Sequence, residues 1–154
     1  MVALIKQGAN SVLKNIPKIL SPELLKVLME MGHGDELVIA DGNFPSASIA
    51  QKLIRLDGHG VPEILEAILK FFPLDTYVDS PVALMAAVEH GKKIKPPIWE
   101  AYRKTIKQSK EHFTEFELVE RFAFYERAKN AFAVVATSEA ALYANIILKK
   151  GVVV

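Results

Sequence analysis

The residue best suited to proton transfer in this sequence is a histidine held between two glycines. His33 lies between Gly32 and Gly34, where the backbone is free to present an imidazole at the rim of a pocket. An imidazole gains and loses a proton near neutral pH, which makes His33 a candidate general acid and base. The alternative is that His33 only caps a helix ending at Gly32.

A second candidate is Asp41, which directly follows the apolar run ELVIA at positions 36–40. A carboxylate buried at the end of a strand is costly unless it meets a histidine, an arginine or a ligand hydroxyl. We therefore interpret Asp41 as the group that orients His33 or holds a substrate hydroxyl. The alternative is a turn-forming aspartate before Gly42.

Polar residues later in the chain have side chains that suit a hydroxyl-rich ligand. Arg121 precedes the aromatic-rich Phe-Ala-Phe-Tyr segment and could point a forked donor into a cleft, although pairing with Glu120 or Glu126 on the surface is the alternative. Tyr143 and Asn145 stand two positions apart at the predicted start of the last strand, where alternation would put both on one face. They fit either a sugar-binding surface or an ordinary edge strand.

The rest of the sequence predicts the elements that position these residues. Ser21-Pro22-Glu23 is typical of a helix start, and Gly32 is predicted to end that helix in the left-handed conformation. Apolar periodicity predicts further helices over 62–72, 97–112 and 122–131, and strands over 36–40, 82–88, 117–120, 131–137 and 144–148. This alternation predicts one α/β domain with a layered sheet flanked by helices.

Composition narrows the possible partners. The 154 residues are 51% apolar and carry a net charge of +1, which gives no electrostatic reason to expect nucleic acid or a membrane surface as the partner. There is no cysteine, and we see no signal peptide, so we expect a cytoplasmic protein. Phosphate-loop, dinucleotide, zinc-protease and serine-hydrolase motifs are missing, which disfavours those enzyme classes.

Several segments together resemble one known family. SPELLKVLMEMGHGDELVIAD, NFP, RFAFYERAKNAFAVVAT and YANIILKKGV, spread from about Ser21 to Gly151, closely resemble the L-fucose mutarotase and D-ribose pyranase family. MGHGDE followed by a strand that ends in aspartate resembles the whole family, whereas RFAFYERA resembles its fucose branch. The resemblance therefore implies a sugar mutarotase, an isomerase that exchanges the α and β anomers of L-fucose.

The resemblance also implies roles for individual residues. His33 and Asp41 correspond to the catalytic pair, with Asp41 also a sugar ligand, and the remaining sugar contacts correspond to Arg121, Tyr143, Ala144 and Asn145. It further implies no cofactor, no metal, and a homo-oligomer built from rings, a decamer being one candidate, with sites completed by adjacent subunits. Residues 21–154 would form the mutarotase domain, and residues 1–20 an extension that packs on it or on a neighbour.

Other functions fit the same residues. D-ribose pyranase activity is one alternative, and a non-catalytic sugar-binding accessory of a transport system is another. An interaction scaffold without a ligand is the third.

Overall fold

The computed structural model describes residues 11–154. Residues 1–10 of the predicted N-terminal extension lie outside this range, and residues 11–20 form turns and bends without a helix or strand. Leu20 is buried in the main core, and Ile16 and Ile19 pack against it. Residues 11–20 of the extension are thus attached to the domain of their own chain by apolar contacts.

The first helix, α1 (Pro22–Glu30), begins as the sequence predicts. The Ser21 hydroxyl accepts a hydrogen bond from the Leu24 amide at 3.2 Å, and proline occupies the first turn. The prediction that a left-handed Gly32 ends the helix is wrong, because the chain leaves α1 through an extended Met31. The positive φ of 87° belongs to Gly34, so the tight turn follows His33 instead of preceding it.

Four more helices follow, and three of them were predicted. These are α3 (Val61–Leu69), α4 (Ile98–Ser109) and α5 (Arg121–Asn130), each within a few residues of its predicted bounds. The unpredicted helix is α2 (Ser46–Ile49), whose four residues are too few for a helical period to appear in the sequence.

Eight strands are present in the described chain: β1 (Glu36–Ala40), β2 (Leu53–Leu56), β3 (Val82–Met85), β4 (Ala87–Glu89), β5 (Lys92–Ile94), β6 (Glu117–Val119), β7 (Ala133–Thr137) and β8 (Ile146–Lys149). The predicted single strand over 82–88 is wrong, because the chain leaves the main sheet after Met85 and β4 pairs with β5 in a separate hairpin. Strands β2 and β5 were not predicted, since both are short and partly exposed.

The main sheet has the strand order β2-β7-β1-β8-β3-β6. Every pairing is parallel except those of β8, which runs antiparallel to both β1 and β3. Five strands therefore end at the same side of the sheet, which we call the carboxyl edge, and β8 begins there. The opposite side, where β8 ends, is the amino edge.

Apolar side chains alternate between the two faces of this sheet. In β1, Leu37 and Ile39 join the large core covered by α1, α3 and α4, whereas Val38 and Ala40 join a smaller core under α5. Strands β3, β7 and β8 alternate in the same way. The predicted layered α/β fold, with helices on both sides of one sheet, is confirmed.

Candidate active site

The two residues predicted to work as a pair lie at opposite edges of the sheet. His33 lies in the loop before β1, at the amino edge, and Asp41 directly follows β1, at the carboxyl edge. A strand of five residues spans about 17 Å, so the two side chains do not meet within one chain. The interpretation that Asp41 orients His33 is therefore wrong for a single subunit, because one precedes the strand and the other follows it.

The partner of His33 within its own chain is a different carboxylate. His33 Nε2 lies 3.0 Å from Asp75 Oδ1, with 44% of the His33 side chain exposed but only 4% of the Asp75 side chain. The ring of Tyr77 lies 5.0 Å from the imidazole, centroid to centroid. We call His33, Asp75 and Tyr77 the histidine cluster. Asp75 was not predicted as a site residue, because its one distinguishing feature in the sequence is its position after the apolar segment FFPL.

Asp41 fixes the backbone at the carboxyl edge. The residue is buried, with 5% of its surface exposed. Its two carboxylate oxygens accept hydrogen bonds from the amides of Asn43, at 3.0 Å, and Ala144, at 3.3 Å. Its own amide donates to Asn145 Oδ1 at 2.8 Å. Burial raises the pKa of the Asp41 carboxyl, and these backbone donors oppose the shift. Asp41 thus makes the predicted turn and also ties it to the segment before β8.

Tyr143 and Asn145 do not alternate along a strand as predicted. Strand β8 begins only at Ile146, and Tyr143 has a left-handed backbone with φ 55°, which interrupts the extended geometry that alternation requires. The Tyr143 hydroxyl donates to the Val88 carbonyl at 2.9 Å, while Asn145 is buried. Both residues stay at the carboxyl edge beside Asp41.

Helix α4 holds this segment from the other side. The Trp99 indole donates to the Tyr143 carbonyl at 2.9 Å, and the buried Tyr102 hydroxyl donates to the Ala144 carbonyl at 2.7 Å. The Ala144 amide is already bonded to Asp41. The segment 143–145 is therefore fixed by side chains that come from two different parts of the fold.

Arg121 is the first residue of α5 and also lies at the carboxyl edge. It has no ion pair within residues 11–154: Glu120 instead caps α5 by accepting from the next amides, and Glu126 pairs with Lys129. The surface pairing considered as an alternative is therefore not formed. The Arg121 guanidinium remains exposed and can bind an external group.

Aromatic rings connect Arg121 to the turn of Asp41. The guanidinium carbon lies 4.7 Å from the Phe122 ring centroid and 5.9 Å from that of Tyr125. Tyr125 in turn packs edge-on against Phe44, at 5.5 Å between centroids. We call Asp41, Arg121, Tyr143, Ala144 and Asn145 the strand-end cluster. The rings of Phe44 and Tyr125 beside it were not singled out from the sequence.

A cavity of about 260 Å³ opens at the carboxyl edge. Its lining includes Asp41, Phe44, Arg55 and Thr137, so it contains only one of the predicted site residues. Among residues 11–154, no group of three or more histidine, aspartate or glutamate side chains is placed to hold a metal ion. None of the helices in that range is both long and apolar enough to cross a membrane.

Comparison with known sequences identifies close relatives. The profile of the RbsD / FucU transport protein family matches residues 14–153. The fucose mutarotase of Mus musculus is 56% identical over 144 residues, which are 90% of this chain and 94% of the mouse protein. The L-fucose mutarotase of Actinobacillus pleuropneumoniae serotype 5b is 54% identical over 140 residues, covering 91% of this chain and 96% of that protein.

Solved structures agree with this assignment. The fucose mutarotase of Streptococcus pneumoniae in complex with L-fucose has a TM-score of 0.84 and 57% identity, covering 92% of this chain and all of the other (100%). Bacillus subtilis RbsD complexed with D-ribose has a TM-score of 0.65 at 24% identity, with 88% and 95% covered, and supports the fold alone. The predicted resemblance is confirmed: this chain belongs to the RbsD / FucU family.

Proposed function

We propose that this chain is a mutarotase that interconverts the α and β anomers of L-fucose. The observation that carries the proposal is the 56% and 54% identity to fucose mutarotases over nearly the whole chain. The Streptococcus pneumoniae relative, at 57% identity, is in complex with L-fucose. This chain is therefore an isomerase acting on a free monosaccharide, and the cytoplasmic location stays a prediction.

Anomer exchange requires two proton transfers. One proton leaves the anomeric hydroxyl and another reaches the ring oxygen, so that the ring opens to an aldehyde, which rotates and closes on its other face. His33 is the acid/base of this proposal, because its imidazole is partly exposed and imidazole is the side chain that most often serves as a general acid and base. Arg121 binds sugar hydroxyls, because its exposed guanidinium has no ion-pair partner in the described chain.

The geometry supports a site shared between two copies of the chain. His33 lies at the amino edge and Arg121 at the carboxyl edge, and strands of three to five residues hold these edges about 10–17 Å apart. A monosaccharide does not bridge that distance while keeping hydrogen bonds at both ends. The amino edge of one subunit placed against the carboxyl edge of another would bring the two clusters together.

The first test is anomer exchange measured by saturation-transfer NMR on L-fucose, with D-ribose as a second sugar. We expect the wild-type protein to accelerate exchange of L-fucose, and His33→Gln to slow it by about 100-fold or more. His59→Gln is the matched control, because His59 lies near Glu63 in another part of the surface and should retain full activity. A wild-type protein that only broadens sugar signals would be a binder, and faster exchange of D-ribose than of L-fucose would favour the pyranase alternative.

A second test addresses the shared site. His33→Gln and Arg121→Gln subunits are each expected to be nearly inactive alone. When the two are co-expressed and mix at random, about one quarter of head-to-tail interfaces contain both wild-type residues, so activity should return to about that fraction. If mixed assemblies remain as inactive as the single variants, the two residues do not act across an interface.

A further inference from the structure

Helix α5 carries Arg121 at its first position but is held against the sheet by few apolar side chains. Only Phe124 and Ala128 of its ten residues are buried, and Tyr125 packs partly against the same core. These positions form one narrow stripe along the helix, whereas α3 buries six of its nine residues. Contacts along a single stripe resist a roll of the helix about its axis only weakly. Apolar packing alone therefore does not determine where Arg121 points.

A forked ion pair beside this stripe links α5 to two strands of the sheet. The Nε of Arg127 lies 3.1 Å from each carboxylate oxygen of Glu36, Nη2 donates to Glu36 at 2.7 Å, and Nη1 donates to Glu117 at 2.9 Å. The Arg127 and Glu36 side chains are only 23% and 16% exposed, so water and salt screen their attraction weakly. Glu36 begins β1 and Glu117 begins β6. One guanidinium thus restrains the roll that the apolar contacts permit.

The two ends of this link differ in how firmly they are held. On the sheet side, the Glu36 carbonyl accepts the Phe132 amide at 2.9 Å, and β1 is paired on both sides, with β7 and with β8. On the helix side, a further polar link comes from Gln51, whose side-chain amide donates at 2.9 Å to a carbonyl in the last turn of α5, on the exposed surface. Loss of the Arg127 contacts should therefore displace α5 and leave the loop of His33 in place.

From these contacts we infer that Arg127 is a positioning residue, which sets the direction in which Arg121 meets the sugar. The inference rests on the proposed function, in which Arg121 binds sugar hydroxyls. Arg121 precedes Arg127 by six residues, about 9 Å along the helix axis. Side chains extend about 5–6 Å from that axis, so a roll of about 20° carries the Arg121 guanidinium by about 2 Å. A displacement of this size breaks hydrogen bonds to a bound ligand.

The double variant Arg127→Met with Glu36→Gln tests this inference, because it removes the link without leaving a buried carboxylate unpaired at Glu36. We expect the KM for L-fucose exchange to rise by about 10-fold. The kcat should change little, because the loop of His33 stays in place. Arg103→Met with Glu115→Gln is the matched control and should keep the wild-type KM. The Arg103 side chain is also 23% exposed and bonds two glutamates, but its helix α4 is held by three buried apolar residues.

Two kinetic results would overturn the inference. One is a KM in the double variant equal to that of the wild type. The other is an equal rise of KM in the control, which would mean that lost stability alone weakens sugar binding. If the double variant does not fold, Arg127→Lys replaces the fork by a single ammonium that cannot reproduce its bidentate geometry. The KM of Arg127→Lys should then rise in the same direction, and an unchanged KM overturns the inference equally.

Crystal structures of the wild type and the variant give a readout that is independent of activity. The Arg121 guanidinium should move by about 1 Å or more relative to the sheet, which is enough to impair a binding contact. An α5 that stays in place overturns the positioning role of Arg127, whatever the KM. A wild-type protein without exchange activity contradicts the proposed function, while the position of α5 still decides the role of Arg127.

Discussion

Replacing Gly151 with alanine should destabilise the protein by forcing apart two backbone segments. A Cβ at this position would lie 2.6 Å from the Leu74 carbonyl oxygen, 2.8 Å from the Leu74 carbonyl carbon and 2.9 Å from the Asp75 Cα. All three contacting atoms belong to backbone, which cannot rotate away as a side-chain tip could. The chain must therefore shift, and the 2.7 Å hydrogen bond from the Gly151 amide to the Pro73 carbonyl lies at the same place.

The expected loss follows from the cost of overpacking a close contact. Forced shifts of this kind cost about 1–3 kcal/mol, which corresponds to a fall in Tm of about 2–12 °C for a domain of this size. The same displacement moves Asp75 away from His33, so anomer exchange should slow as well. Unfolding by heat and by urea measures the change in stability, at one fixed protein concentration because the stability of an oligomer depends on concentration.

Gly32→Ala is the control for stability. The nearest atom to a Cβ at Gly32 is Asp35 Oδ2 at 3.7 Å, an ordinary contact, so this variant should stay within about 0.5 kcal/mol of the wild type. The reasoning fails if Gly151→Ala and Gly32→Ala melt at the same temperature as the wild type and Gly151→Ala keeps full exchange activity. That result would mean that the close approach at Gly151 relaxes without disturbing the loop of Asp75.

Three further perturbations have expected outcomes. Tyr102→Phe removes the buried donor to the Ala144 carbonyl and should lower the free energy of unfolding by about 1–3 kcal/mol in urea denaturation; no change would mean that water replaces the hydroxyl. Arg127→Met removes the guanidinium that bonds both carboxylate oxygens of Glu36, whose side chain is only 16% exposed. The unpaired carboxylate should lower Tm, and adding Glu36→Gln should restore part of the loss because it removes the charge. The folded pKa of Asp75 lies below its ordinary value of 3.8, so its stabilising effect is complete above about pH 4 and is lost as pH falls through the folded pKa. The Tm difference between wild type and Asp75→Asn should therefore shrink in acid, and a difference that grows there would contradict this sign.

The parts of the fold that the sequence predicted are those specified by neighbouring residues. The start of α1 needs only Ser21 and the next three residues, and the helical bounds of α3 and α4 follow from apolar spacing within each segment. The sheet order could not be predicted in this way, because the place of β8 between β1 and β3 depends on contacts more than 60 residues apart in sequence. The four-residue α2 and β2 are too short to show a period.

The site was predicted less completely than the fold. The separation of His33 and Asp41 within one subunit could have been predicted, since the five residues of β1 between them already require a distance of about 17 Å. Asp75 could not be found by spacing, because its contact with His33 joins positions 42 residues apart through loops anchored on the end of β8. Arg121 could be placed correctly, because its position after β6 and before α5 is local.

The direction of β8 constrains how subunits can share a site. This strand of four residues begins beside the strand-end cluster and ends beside the histidine cluster, so tight packing fixes the two clusters at a constant separation. A shared site must then join the amino edge of one copy to the carboxyl edge of the next. When such a contact is repeated head to tail, it closes into a ring if the rotation between copies permits and otherwise extends as a filament, whereas a two-fold dimer joins one self-complementary surface. Because the two clusters lie at opposite edges of the sheet, we expect the head-to-tail arrangement, so sedimentation and native mass spectrometry should find active protein as a ring of three or more subunits or a stack of such rings. A fully active isolated dimer would refute the head-to-tail arrangement.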